Sequence, residues 1–167
     1  MAHDNSIASL TEDWIIARIK AIEVSVGVPL FDPDSVGPWE GSADNATKDF
    51  ADEFMEGERP RVGRVMFFRD EVEDLEAGMI QVFTHYAILL GWRNDRFGAA
   101  ARRGDGTIVG INRVRDLCRY AIHSQRPDQT DGTTYTDIVE WRGSEIVVAR
   151  KNLYILQCHL RVREVPV

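Results

Sequence analysis

The stretch NLYILQCHLRVREV, residues 152–165, decides the fold because its side chains alternate between two chemical kinds. A period of two predicts a β-strand with one face on a core and the other meeting water or a partner. Chain ends usually fray, so a strand this regular must be held by the rest of a sheet. The core set is Tyr154, Leu156, Cys158, Leu160 and Val162, and the opposite set is Ile155, Gln157, His159, Arg161 and Arg163.

The same period recurs upstream and predicts the neighbours of this strand. RVGRVMFFR, residues 61–69, and MIQVFTHYAILLGW, residues 79–92, predict an antiparallel hairpin joined by the acidic link DEVEDLEAG. The dense β-branched and aromatic content of the second strand predicts a central position in the sheet. TYTDIVEWRG and SEIVVARKN predict further strand material, with RGS as a tight link between them.

Two segments have the helical period of three to four residues. Residues 6–24 and 107–123 each place their apolar side chains on one face. Because such a face must cover a sheet, we expect an α+β domain: a mostly antiparallel sheet with two main helices packed on one face.

Residues 25–60 interrupt these patterns and predict a long Pro/Gly-rich loop. Pro29, Pro33 and Pro38 alternate there with glycines. Within this segment, NATKDFADEFMEG predicts a short acidic helix. No internal repeat is visible, so residues 1–167 are predicted to form a single domain.

Composition limits the classes of partner. The 167-residue chain has a formal net charge of −7, so it lacks the basic surface that nonspecific binding to nucleic acid requires. Its two cysteines, Cys118 and Cys158, fall on the predicted apolar faces and are expected to be buried reduced thiols. No stretch has the pattern of a signal peptide or the roughly 20 apolar residues of a membrane span. We therefore expect a protein made in a cytoplasm, without a membrane partner.

The sequence contains no pattern typical of catalysis, and we expect neither an enzyme nor a bound metal or cofactor. Neither a nucleophile elbow nor a phosphate-binding loop is present. His85 and His159 fall on predicted strands, but two histidines alone make a weak case for zinc. One dense group of carboxylates, which we interpret as a solvated hairpin tip able to contact a basic surface, comprises Asp70, Glu71, Glu73, Asp74 and Glu76.

Arginines cluster in the loop that follows the predicted hairpin, and arginine is favoured at protein contacts. The plain interpretation is a solvated loop, and the sharper one is an interface in which this loop meets the acidic tip of a neighbouring subunit. The polar face of the closing strand is either covered by such a neighbour or belongs to a simple sheet edge. The candidate residues are Arg93, Arg96, Arg102 and Arg103 in the loop, and Gln157, His159, Arg161 and Arg163 on the strand.

The layout of the whole chain resembles the tail terminator, or tail completion, proteins of tailed bacteriophages, especially the Mu-like branch. An N-terminal amphipathic helix, IASLTEDWIIARIKAI, carries the first part of the resemblance. A hairpin strand, GMIQVFTHYAILLGW, that leads into a helix, GINRVRDLCRYAIHS, carries the second. The closing strand, LYILQCHLRVREV, carries the third. The long proline-containing loop has no part in the comparison.

The resemblance implies a structural protein of the virion tail or neck that forms a homohexameric ring. Such a ring caps the finished tail tube, ends its polymerisation and offers a docking surface to the head connector. The implied partners are further copies of the chain, the tail tube protein, and sheath, head-completion or connector proteins. Genome DNA would pass through the ring without specific binding, and the acidity of the chain suits that passage.

Other interpretations stay open. Another neck protein, such as a head-completion or stopper protein, also forms a ring without an active site. A subunit of a headless, tail-like injection machine would have similar properties. A small ligand-binding or hydrolytic α+β domain would need a pocket with perturbed titratable groups.

Overall fold

The computed structural model describes residues 6–94, 98–105, 109–150 and 152–166. The elements are α1 (Ile7–Lys20), β1 (Glu23–Ser25), β2 (Val28–Pro29), β3 (Val36–Pro38), α2 (Ala46–Glu56), β4 (Arg61–Asp74), β5 (Ile80–Arg93), α3 (Gly98–Arg103), α4 (Ile111–Ile122), β6 (Thr134–Arg150) and β7 (Leu153–Pro166). No helix in these ranges is long and apolar enough to cross a membrane. The predicted α+β class is confirmed.

Five of the strands form one sheet in the order β3-β4-β5-β7-β6. The four long strands pair antiparallel, and the short β3 pairs parallel with the first half of β4. The central position predicted for β5 is confirmed. β7 lies between β5 and β6, so the closing strand is hydrogen-bonded along both edges. The alternative that it forms a sheet edge is therefore wrong.

The apolar set of β7 forms one side of the main core. It packs with alternate side chains of β5, among them Tyr86, Ile88 and Trp92, beneath α1 and α4. Ile15 and Ile19 of α1 are fully buried there. The two main helices therefore lie on the same face of the sheet, as predicted. We call this the α1–α4 face.

The short helix α2 lies on the opposite face, a position that the sequence analysis did not predict. Phe50 and Phe54 of α2 pack on Leu89 and Ile155 of the sheet. Gly91 permits this close approach, because a Cβ at that position would lie 2.6 Å from the Phe54 ring. The prediction of a short helix within residues 25–60 is confirmed, and the short strands β2 and β3 in the Pro/Gly-rich part of this segment were not predicted.

Some predicted strand boundaries are also wrong. β4 continues past residue 69 to Asp74, paired with β5 along its whole length. β6 is one strand, because the RGS link is absorbed as a register shift against β7 between Trp141 and Gly143.

The main helices are shorter than predicted. α1 ends at Lys20 because the chain then turns back on itself, with β1 and β2 paired around Gly27 at φ 75°. Helix α4 begins at Ile111, with Gly110 as its N-cap. Residues 106–108, which include the predicted start of this helix, lie outside the described residues.

Candidate interaction surfaces

The acidic block lies on the outer half of β4, and Glu76 alone belongs to the turn. Asp70, Glu71, Glu73 and Asp74 lie opposite Thr84, Phe83, Gln81 and Ile80 of β5. The turn at Glu76–Gly78 is closed by the Leu75 N–H, which donates to the Met79 carbonyl at 2.7 Å. The prediction that the whole block forms the hairpin turn is therefore wrong, whereas its predicted solvent exposure is confirmed for Asp70, Glu71, Asp74 and Glu76. The register of β4 instead aims its carboxylates at both faces of the sheet.

Glu71 and Glu73 are held by side chains of other strands. Glu71 Oε2 lies 2.7 Å from His85 Nε2 on the adjacent β5. Arg161 Nη1 of β7, which lies on the far side of β5 from β4, donates to Glu73 Oε1 at 3.3 Å. The structure thus brings together two candidate groups, the acidic block and the polar face of the closing strand, within one molecule.

Arg161 is the centre of this ionic network. Its guanidinium donates to Glu140 on β6 at 2.9 and 3.1 Å and lies 4.0 Å from the centre of the Phe83 ring. Arg163 forms a second ion pair with the nearly buried Asp137. The first role of both arginines is therefore to join β7 to β6 on the face opposite α1.

Gln157 and His159 lie beside the N-terminal end of α2. The Thr47 hydroxyl donates to Gln157 Oε1 at 2.8 Å, and Gln157 Nε2 lies 3.2 Å from His159 Nε2. Phe68, at a β-bulge in β4, packs its ring against both His85 and His159. Part of the polar face of β7, which the sequence analysis assigned to a possible neighbouring subunit, is thus covered by α2 of the same chain. Among the described residues, no group of three or more His, Cys, Asp or Glu is arranged to hold a metal.

The turn end of the hairpin carries surface that the described chain leaves uncovered. The carboxylates of Asp74 and Glu76 have no hydrogen-bond or ion-pair partner among the described residues. The side chains of Met79 and Ile80 are 61% and 63% exposed, and Leu75 is also exposed. Exposed apolar groups concentrated beside charges are typical of a protein contact site. We call residues 74–80 the hairpin tip.

The predicted arginine group is only partly assembled. Arg93, at the end of β5, donates to two carbonyls at the C-terminal end of α2, each at 3.2 Å, and so fixes that helix on the sheet. Arg102 and Arg103 lie exposed on α3 and have no hydrogen-bond or ion-pair partner in the described part of the chain. Arg96 lies outside the described residues.

A cavity of about 460 Å³ opens at the base of the hairpin, the end opposite the tip. Its walls include Arg59, Arg61, Arg93, Asp32, Trp92 and Val109. Arg61 stacks over the Trp92 ring at 4.3 Å, and Arg59 donates to the Asp34 carbonyl at 2.6 Å. Sequence reasoning missed Arg59 and Arg61 because they lie just before and at the start of β4, far along the chain from the arginine-rich loop. We call this the arginine cavity.

The buried thiols are not suited to nucleophilic chemistry. Burial raises the pKa of the Cys118 thiol to about 12 and holds the pKa of Cys158 well above its usual value. Both cysteines are free and buried, as predicted. A thiolate at either position is therefore scarce near neutral pH.

The α1–α4 face also holds a partly buried carboxyl. Glu12 accepts a hydrogen bond from the Phe67 backbone N–H, on the edge of β4 that β3 does not reach. Burial nevertheless raises the pKa of Glu12, since loss of water outweighs that hydrogen bond. The carboxyl closes one position of an otherwise open strand edge.

No family model matches the chain, and no curated protein matches it. A proposal for function therefore rests on the geometry of the fold and on the order of its elements. The most distinctive geometry is the chemical difference between the two ends of the β4–β5 hairpin. One end is acidic and apolar, and the other is lined by arginines.

Proposed function

We propose that this chain is a structural subunit of a phage tail, and that its copies form a ring that caps the tail tube. The ring would end polymerisation of the tube and offer the docking surface for the head connector. The observation that carries the proposal is the two-ended hairpin, with free carboxylates at its tip and the arginine cavity at its base.

A molecule with two complementary ends associates head to tail. Head-to-tail contacts use different patches on each copy, and they produce a closed ring when the rotation between copies returns to its start. The proposed homohexamer is one such ring. The two-ended hairpin thus supports self-assembly of a kind that fits a cap.

The layout of the elements supports the choice of a tail protein among ring-forming proteins. An amphipathic helix, a strong hairpin, a second helix and a closing strand follow one another in the order that suggested tail terminators. Away from the arginine cavity, the ionic groups Arg161 and Arg163 of the sheet are used in cross-strand pairs. Such pairs suit a structural role for that part of the sheet.

The net charge of −7 supports a ring through which DNA passes. Six copies would multiply that negative charge, and a channel of that sign holds a polyanion weakly. In this proposal the genome is cargo and is not bound specifically. The other partners are the tail tube protein on one side and the sheath and connector proteins on the other.

Electron microscopy of particles produced with the gene disrupted tests this role. Overlong tubes or tubes without heads are the expected result, because nothing would stop polymerisation. Tails of normal length that lack heads would instead assign the protein to the head–tail joint, as a head-completion or stopper protein. Intact infectious particles would reject an assembly role.

A further inference from the structure

We infer that the hairpin tip of one copy docks into the arginine cavity of the next copy. This inference rests on the proposed ring and names the contact that builds it. The ligand of the cavity is thus a pair of carboxylates carried on a rigid turn, supplied by a second copy of the chain.

The tip has the chemistry of a guest. Its carboxylates, Asp74 and Glu76, are free of partners among the described residues, whereas Glu71 and Glu73 are held within the sheet. The turn is closed by its own backbone hydrogen bond, which limits the backbone freedom that docking would have to remove. Exposed Leu75 accompanies the charges and loses contact with water on docking.

The arginine cavity has the chemistry of a host. A volume of about 460 Å³ falls within the range of ordinary ligand pockets. Arg59 and Arg93 spend some of their donors on backbone carbonyls, which fixes the position of each guanidinium. A guanidinium carries five N–H donors, so donors remain for a carboxylate guest. The partly buried Val109 supplies apolar wall for the aliphatic side chain of the turn.

The two sites cannot meet within one molecule. Arg61 lies opposite Trp92 at the base of the hairpin, and Asp74 lies opposite Ile80 at the tip. A strand of this length separates its ends by about 40 Å, at about 3.3 Å per residue. The charges can therefore pair only between copies.

Two complementary variants test the contact by native mass spectrometry and analytical ultracentrifugation of the purified full chain. The tip variant is Asp74→Lys with Glu76→Lys. The cavity variant is Arg59→Glu with Arg61→Glu, which changes two walls of the cavity and leaves the helix-fixing Arg93 in place. Each variant alone is expected to associate at least tenfold more weakly than wild type. A 1:1 mixture is expected to assemble again with the two variants alternating, because the intact tip meets the intact cavity and the positively charged tip of one variant meets the negatively charged cavity of the other.

Matched controls carry the same charge changes elsewhere. Asp49→Lys with Asp52→Lys alters exposed carboxylates of α2, and Lys20→Glu with Arg113→Glu alters exposed cations of α1 and α4. Both controls are expected to assemble as wild type does. Thermal melts of every variant establish that each one is folded before assembly is compared.

The outcomes separate this contact from the proposed function. Wild-type assembly by either charge variant, or a mixture that associates no better than either variant alone, would overturn the contact and leave the ring proposal standing. A wild-type chain that stays monomeric at high concentration also rejects the contact. A verified tip–cavity contact together with normal tails after gene disruption would keep the contact and reject the tail-capping function.

Discussion

The two faces of the sheet are built from alternate residues of the same strands, yet they differ in kind. The α1–α4 face is apolar from β4 to β6 and is covered by both main helices. The opposite face is apolar only beneath α2, and beyond that helix it turns ionic around Arg161. The first face holds the fold together, whereas the second keeps its polar side chains near the surface.

This difference indicates where the molecule can interact without losing its fold. A dry core buries its side chains fully, so that surface is committed to the chain itself. Ion pairs at a partly exposed face contribute little to stability and can exchange partners at modest cost. The hairpin tip extends from this second kind of surface. Changes of side chain should therefore have effects that decrease from the α1–α4 face, through the α2 contact, to the polar rim.

The largest effect is expected from Trp92→Ala on the α1–α4 face. Trp92 is 1% exposed, its ring meets Phe31 edge-on, and its indole N–H donates to the Val109 carbonyl at 3.0 Å. Loss of the ring leaves a cavity and removes one of the two hydrogen bonds to the Val109 carbonyl, which together cost about 3–5 kcal/mol of unfolding free energy. Urea denaturation followed by circular dichroism measures this loss.

Phe67→Ala, at a partly buried position on the same face, is the control and should cost clearly less. Equal losses would mean that the cost of a substitution in this core does not depend on how deeply the side chain is buried.

A smaller effect is expected from Gly91→Ala at the α2 contact. The new Cβ would lie 2.6 Å from the Phe54 ring, so α2 must move away from the sheet. Overpacking of this kind costs about 1–3 kcal/mol. Chemical shifts of α2 amides in an NMR spectrum report the displacement, and urea denaturation reports the cost.

Gly63→Ala is the matched control for this prediction. A Cβ there meets Leu90 and Val36 at 3.4 Å, which is close to ordinary contact. We expect little change in the α2 amides and a smaller loss of stability. If both substitutions shift α2 equally, then Gly91 is not the residue that sets the approach of this helix.

The α1–α4 face could be predicted from the sequence because its signals are local. The strict alternation around Cys158 and the helical periods on both sides identify the core face before any contact is known. The same alternation sets the antiparallel hairpin, and only its length was wrong. Carboxylates such as Glu73 are poor strand formers by propensity, and a cation on a distant strand stabilises them there.

The interaction surfaces could be predicted only in part, because they depend on contacts between distant segments. Arg59 reaches the cavity through the packing of the loop before β4, and no periodicity marks it. Arg93 matched the predicted arginine group, but its guanidinium turns to the end of α2. The sequence of a helix does not reveal which face of the sheet the helix will cover. The contact between Arg93 and α2 could therefore not be predicted.

The smallest effect is expected from Glu12→Gln at the rim of the α1–α4 face, and it should appear as a change in pH dependence. Burial raises the pKa of Glu12 above its ordinary value of 4.5. The folded state therefore binds this proton more tightly than the unfolded state does. Stability from this group is greatest at low pH and falls as pH rises from about 4.5 through the raised pKa.

Glutamine keeps an oxygen that can accept from the Phe67 N–H but has no proton to lose. The wild type should therefore lose stability relative to Glu12→Gln as pH rises from 4 to 7, by less than about 1 kcal/mol because water screens a partly exposed group. Urea midpoints across that range measure the difference curve. A flat curve for Glu12→Gln would mean that hydrogen bonding to the β4 edge offsets the cost of burial. The carboxylate would then act mainly to protect that edge, as the ionic pairs do on the opposite face, and the two faces would differ less than their packing indicates.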